Sequence, residues 1–255
     1  MRVYINILLA VVIFNFISCQ RGENLEEKII EEEQISFYFG ADLSYVNEME
    51  DCGAKYKNNT GIVEDPYKIF ADAGTNLVRV RLWHSPTWTN YSNLNDVEKS
   101  ITRAKSKGMK VLLDFHYSDT WADPSKQLIP KAWENQTDIT ILGKLLYNYT
   151  LNTLSNLKSK GLSPDIVQIG NEINAMILQG ENLVWPINWT RNAFLINKGI
   201  KAVRDFSKNV EVMLHIAQPE NGLWWFKDAT QNGITDFDWI GLSYYPIWSD
   251  YTLSD

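Results

Sequence analysis

The stretch DIVQIGNEINAMILQG, Asp165–Gly180, decides how the rest of the chain is read. Ile166–Ile169 is a short apolar run of the kind that forms a strand buried on both faces. It gives way at Gly170 to Asn171 and Glu172, an amide beside a carboxylic acid at the point where a strand should leave the core. Ile169 and Ile173 flank the pair and supply apolar walls. Partial desolvation there raises a carboxyl pKa, which suits a general acid working near neutrality. In isolation the same dipeptide could do no more than cap the next helix.

The same layout recurs on both sides of this stretch. Phe37–Val46 reads as strand one, and a helix follows that ends at Gly74. Asn76–His84 is strand two, with a helix stopping at Gly108. Lys110–Asp119 is strand three, and a long helical pattern runs from Asp138 to Lys160. After strand four come a helix from about Thr190 to Phe206, strand five at Val210–Gln218, a helix near Leu223–Thr230, and strand six at Asp238–Pro246. Strands alternating with helices at this spacing predict βαβ units and a parallel sheet. Polar or aromatic residues close all six strands: Asp42, Arg81 with Trp83, His116 with Asp119, Asn171 with Glu172, His215 with Gln218, and Tyr244 with Tyr245. A doubly wound sheet needs functional residues from only a few strands at one switch point. A (β/α)₈ barrel brings every strand's C-terminal end to one mouth. The expected fold is therefore an α/β (β/α)₈ TIM barrel. Six staves cannot close such a barrel, so the chain reads as truncated after the sixth strand or as completed from elsewhere.

With 45% hydrophobic and 22% charged residues the chain has an ordinary globular balance, and a net charge of -7 without a basic block argues against nucleic acid as partner. Ten Trp and twelve Tyr leave two readings open, core anchors or flat faces on which sugars stack. The three His are not at metal-ligand spacing, and neither a metal nor a cofactor is expected. Residues 1–19 combine Arg2, the apolar run Ile5–Ile17 and Ser18-Cys19, the pattern of an export signal too short for an ordinary transmembrane span. Phe16-Ile17-Ser18-Cys19 is similar to a bacterial lipobox, which points to a lipid on Cys19, with simple secretion as the alternative. Residues 20–36 form an acidic tether, and 37–255 the barrel domain. Cys52 is then the one remaining thiol, so no disulfide is expected to hold the fold. Sequons at Asn58, Asn90, Asn135, Asn148 and Asn188 keep a eukaryotic secreted origin open.

The remaining pieces add chemistry around Glu172. Arg79, Arg81 and Trp83 share one face of strand two, and an inward arginine is expected to pair with a carboxylate, because an unpaired buried charge is costly. His116, Asp119, Trp121 and Asp123 cluster near the end of strand three; Tyr244, Tyr245 and Trp248 follow strand six. Aromatic platforms with hydrogen-bonding groups describe a carbohydrate cleft. A sugar acetal leaves as a poor alkoxide, so its cleavage needs a proton delivered to the glycosidic oxygen.

Five stretches carry a resemblance: GADLSYVNEMEDCGAKY from Gly40, NLVRVRLWHSP from Asn76, LLDFHYSDTWADPSKQ from Leu112, VQIGNEIN from Val167 and IGLSYYPIW from Ile240. Together they resemble the arabinogalactan endo-β-1,4-galactanases, glycoside hydrolase family 53, over about Phe39–Asp250. The resemblance implies a (β/α)₈ barrel, retaining endo-cleavage of β-1,4-galactan, and two catalytic glutamates at the ends of strands four and seven. Glu172 would be the acid/base, Asn171 the neighbour that binds the 2-hydroxyl, and Arg81 the strand-two arginine near the nucleophile. His116, His215 and Tyr244 or Tyr245 match positions at the mouth. Asp42, Trp83, Asp119, Trp121 and Trp248 complete the expected substrate-binding set. No glutamate follows Tyr245, so the nucleophile is absent from the sequence given, and a fragment is expected to lack activity. The competing reading is a lipid-anchored surface protein that grips galactan without cutting it.

Overall fold

The computed structural model describes residues 37–252 and 254. The expected export signal and acidic tether lie outside the described residues.

Six strands form one sheet: β1 Gly40–Asp42, β2 Leu77–Leu82, β3 Lys110–Phe115, β4 Ile166–Ile169, β5 Glu211–Ala217 and β6 Trp239–Ser243. They pair in chain order and every pairing is parallel. A doubly wound sheet would reverse its order at a switch point. The unbroken order is that of consecutive barrel staves, and among the described residues the sheet is an open arc of six.

Helices connect the strands: α1 Val46–Asp51, α2 Pro66–Asp72, α3 Leu94–Ser106, α4 Ile139–Ser159, α5 Trp189–Phe206 and α6 Gly222–Gln231. Their starts follow local chemistry. Asp65, Asn93, Asp138 and Asn188 each accept a backbone N–H of the first turn of α2, α3, α4 and α5, satisfying donors that the helix cannot. Pro66 opens α2, where a missing N–H costs nothing. One expectation fails here: β1 is three residues long, because Tyr45 leads directly into α1.

Side-chain alternation along the strands separates two layers. Val78, Val80, Leu82, Val111, Leu113, Phe115, Val167, Ile169, Val212, Leu214 and Ile216 face the helices and belong to the main core. Burying each such side chain contributes about 1.5–3 kcal/mol. Residues of the opposite parity face the inside of the arc. At its floor Leu77, Leu112 and Ile166 pack with Met213, Trp239 and Tyr38. Above that floor the inward positions become polar: Asp42, Arg79, Arg81, Asp114, His116, Gln168, His215 and Ser243. Gly241 on β6 has no room for a side chain, since a Cβ there would lie 2.9 Å from both His215 Cδ2 and Met213 Sδ.

Candidate active site

A cleft of about 440 Å³ opens where the strands end, lined by Asp42, Tyr45, Arg79, Arg81, Trp121, Asn171, Glu172, His215, Ser243 and Tyr245. A larger hollow of about 630 Å³ lies between α6 and the outer face of β6, but its lining is mostly apolar and holds no carboxylic acid. The chemistry therefore belongs to the cleft at the strand ends.

At the end of β4 the backbone turns sharply. Gly170 has φ +80, and a Cβ there would sit 2.5 Å from Ile173 Cγ2, so glycine is required twice over. Glu172 also lies in the left-handed region, at φ +46, a strained conformation for a residue with a side chain. Its backbone N–H donates to His215 Nδ1 at 3.1 Å. That acceptor role leaves the His215 proton on Nε2, which lies 3.0 Å from Ser243 Oγ. The Ser243 hydroxyl is then free to donate to the Glu172 carboxylate. Burial raises the Glu172 pKa above the ordinary carboxyl range; the Ser243 hydrogen bond opposes this, the Asp123 charge adds to it, and Arg79 and His116 oppose it. Burial lowers His215 to about 4, helped by the Arg79 charge, so the ring is neutral near pH 7.

Arg79 is the hub beneath this turn. Its guanidinium donates to Asp42 Oδ2 at 2.6 Å, Asp114 Oδ2 at 2.6 Å, Asn171 Oδ1 at 2.8 Å and Gln168 Oε1 at 3.2 Å. Asn171 also donates from Nδ2 to Ala122 O at 2.8 Å. Both ends of its amide are thus fixed, and one N–H remains for a ligand. Asp114 is fully buried, and burial alone would raise its pKa. The Arg79 and His116 partners outweigh burial and hold it at about 2. His116 accepts the Ala122 N–H at Nδ1, 3.1 Å, and points Nε2 at Asp114 Oδ2, 3.0 Å. It sits under the cleft and is not part of its wall.

On strand two the carboxylate pairing falls to Arg79. Among the described residues Arg81 has no carboxylate partner. Arg81 bonds Ser92 Oγ through Nε and Nη2, at 3.2 and 2.9 Å. Its guanidinium carbon lies 4.5, 4.4 and 4.3 Å from the ring centres of Tyr45, Trp83 and Trp121. Weakly hydrated and planar, it is accommodated by these aromatic faces. Trp83 is only 2% exposed, so it props the exposed rings of Trp88 and Trp121 at 4.9 and 5.9 Å and offers no platform itself. Trp121 and Tyr45 are the open faces on this side.

Asp119 is likewise redirected. Its carboxylate accepts the Ser85 and Lys131 backbone N–H groups, each at 2.8 Å, and stands 3.5 Å from His84 Nδ1. It joins loops outside the cleft wall. Tyr244 donates its hydroxyl to Tyr251 O at 3.0 Å and also stays out of the wall. Tyr245 lines the cleft, with the exposed ring of Trp248 beside it at 5.2 Å. Sequence reasoning passed over Asp114, Gln127, Gln168 and Ser243. The signal was there for two of them, a polar residue inside the apolar runs Leu112–Phe115 and Ile166–Ile169.

The family model of glycosyl hydrolase family 53 matches residues 38–255. The chain belongs to that family. It is 61% identical over 223 residues to an arabinogalactan endo-β-1,4-galactanase of Cellvibrio japonicus, covering 85% of this chain and 59% of the relative. An endo-β-1,4-galactanase of Bacillus subtilis is 39% identical, over 89% of this chain and 54% of the relative. Among solved structures, a chain described under a study of two fungal β-1,4-galactanases superposes with a TM-score of 0.77 at 37% identity, covering 83% of this chain and 64% of that one. The family 53 catalytic domain of Ignisphaera aggregans gives 0.75 at 35% identity, over 82% and 60%. The chain thus spans about three-fifths of the length of these relatives, and within that span the family membership accounts for its parallel arc of barrel staves.

Proposed function

We propose that the protein acts as an endo-acting, retaining hydrolase of β-1,4-galactan, with Glu172 as general acid/base. The observation that carries this reading is Glu172 itself: a half-buried carboxyl on the cleft, its pKa raised by burial, next to an amide locked by Arg79. In the protonated state Glu172 delivers its proton to the glycosidic oxygen as the bond breaks. Its hydrogen-bond partner is Ser243, whose hydroxyl is oriented by neutral His215. Asn171 presents its remaining N–H to a sugar hydroxyl, while Trp121, Tyr45 and Tyr245 offer ring faces along the groove. Retaining chemistry needs a second carboxylate about 5 Å away. This reading assigns it to the end of a seventh strand, in the part of the relatives' length that the chain does not span.

The test is Glu172→Gln in the full-length polypeptide. Galactan cleavage should fall by about 10²–10⁴-fold. An aryl galactoside with a good leaving group should lose far less in its first step, because it needs little protonation. Equal losses on both substrates would remove Glu172 from the acid role.

We also propose export and membrane anchoring through a lipid on Cys19, supported by the apolar run before it and the acidic tether after it. Two acyl chains make a stable anchor where one does not. Cys19→Ala should move the protein from the membrane to the soluble fraction of cells. A wild-type protein recovered soluble, with its N-terminus beyond residue 19, would overturn this.

A further inference from the structure

We infer that Gln127 is the positioning residue of the general acid, its side-chain amide holding the strained Asn171–Glu172 turn so that the Glu172 carboxyl faces the cleft. The inference rests on the acid/base reading of Glu172 above. Gln127 belongs to the loop between β3 and α4 and is 3% exposed. Its Nε2 donates to three carbonyl oxygens: Asp123 at 3.0 Å, Asn171 at 2.9 Å and Glu172 at 3.2 Å. An amide nitrogen has two hydrogens, so one of these bonds is shared. The whole donor capacity of the side chain is therefore spent on the two residues at the head of the site and on the loop facing them.

The need for such a clamp follows from the backbone. A non-glycine residue in the left-handed region is strained and persists only where its surroundings over-determine it. Glu172 lies past the last residue of β4, so no ladder bond takes its own N–H or C=O. Two side chains do so instead. His215 of β5 accepts its N–H at 3.1 Å, and Gln127 donates to its C=O. Ile173 N–H continues to His215 O at 2.9 Å. Gln127 is itself anchored, because its own carbonyl accepts the Gln179 N–H at 2.6 Å from the loop after β4. The clamp thus closes across both loops, and its third bond fixes the backbone of Asp123, whose charge acts on Glu172.

Gln127→Met fills nearly the same space without a donor. A misplacement of about 1 Å at a reacting group can cost about 10²-fold. We expect kcat/KM on galactan to fall about tenfold or more, with KM changed by less than about twofold. The same variant should lose less than about threefold in kcat/KM on a dinitrophenyl β-galactoside. The basic limb of the galactan pH profile should move to lower pH, as the loosened carboxyl becomes hydrated. Hydrogen exchange of the Glu172 and Ile173 amides should quicken while α4 and α5 exchange as before. Gln127→Asn, which keeps the amide but draws it back by one methylene, should repeat the pattern should Met prevent folding. Equal losses on both substrates with an unmoved pH limb would mark Gln127 as merely structural and overturn the inference. Unchanged kinetics would do the same. The Glu172→Gln control separates the two ideas. If it cleaves galactan normally, the acid reading falls and this inference with it. If it behaves as an acid variant while Gln127→Met keeps the wild-type substrate ratio, the positioning role alone falls.

Discussion

Replacing Asp114 by Asn should unfold the protein well before it alters any surface. The carboxylate is fully buried and accepts from Arg79 Nη2 at 2.6 Å and Gln168 Nε2 at 2.7 Å, with His116 Nε2 3.0 Å away. An Asn amide has one oxygen. Whichever way it is turned, its NH₂ faces a donor, and the Arg79 charge keeps only the part-exposed Asp42 as a carboxylate partner. Breaking one side of a buried ion pair costs about 3–5 kcal/mol. At about 2–4 °C per kcal/mol for a domain of this size, Tm should drop by about 6–20 °C at pH 7. Linkage gives a second magnitude. The Asp114 pKa is depressed from 3.8 to about 2, so the wild type holds roughly 2 kcal/mol from this group above pH 3.8 and loses it as pH falls toward 2. Asp114→Asn should lack that acid limb. Thermal unfolding followed by circular dichroism from pH 7 to 2 measures both quantities. Adding Arg79→Met should recover part of the loss, since the uncompensated cation goes with it. A Tm within about 2 °C of wild type would refute the view of Asp114 as the counter-charge on which the hub depends.

His215 titrates in the opposite sense from a paired histidine, because burial holds it at about 4 against an ordinary 6.5. Between those values the unfolded chain binds a proton that the folded one refuses. Stability should therefore fall by about 3 kcal/mol from pH 6.5 to 4, and His215→Gln should flatten that window in denaturant titrations. Trp121→Ala should weaken binding of galacto-oligosaccharides by about 1–2 kcal/mol in calorimetry and also lower Tm, since the part-exposed ring covers the buried Arg81 guanidinium at 4.3 Å. An unaltered Kd would take Trp121 out of the binding surface.

The arc and its mouth were legible because strand and helix periods alternate, and because the apolar run Ile166–Ile169 stops at a polar pair. The caps Asp138 and Asn188 mark helix starts through local hydrogen bonds, which sequence carries directly. Parity along β2 put Arg79 and Arg81 on one face but could not give their depth. One position of difference in layer decides whether the guanidinium meets Asp42 and Asp114 or a ring of aromatics. Asp119 sat at a strand end as a ligand-binding residue would. Its fate depended on the Ser85 and Lys131 amides, delivered by loops whose course has no periodic signature. Gln127 was illegible for the same reason, since its partners lie 44 and 45 residues onward.

The four-way grip of Arg79 also sets a schedule. Its acceptors stand 37 residues before it, at Asp42, and 35, 89 and 92 residues after it, at Asp114, Gln168 and Asn171. A chain growing from its N-terminus can dock β2 on β1, and then β3 on β2, while this cation still faces water. Asp42 and Asp114 match its charge once the first three strands are paired, and β4 adds the two amide acceptors that complete its hydrogen bonds. Collapse of the first three strands onto a wrong neighbour, or in a slipped register, would trap an unmatched charge and is thereby disfavoured. The residue that organises the floor of the cleft thus also favours the correct pairing of the first four staves.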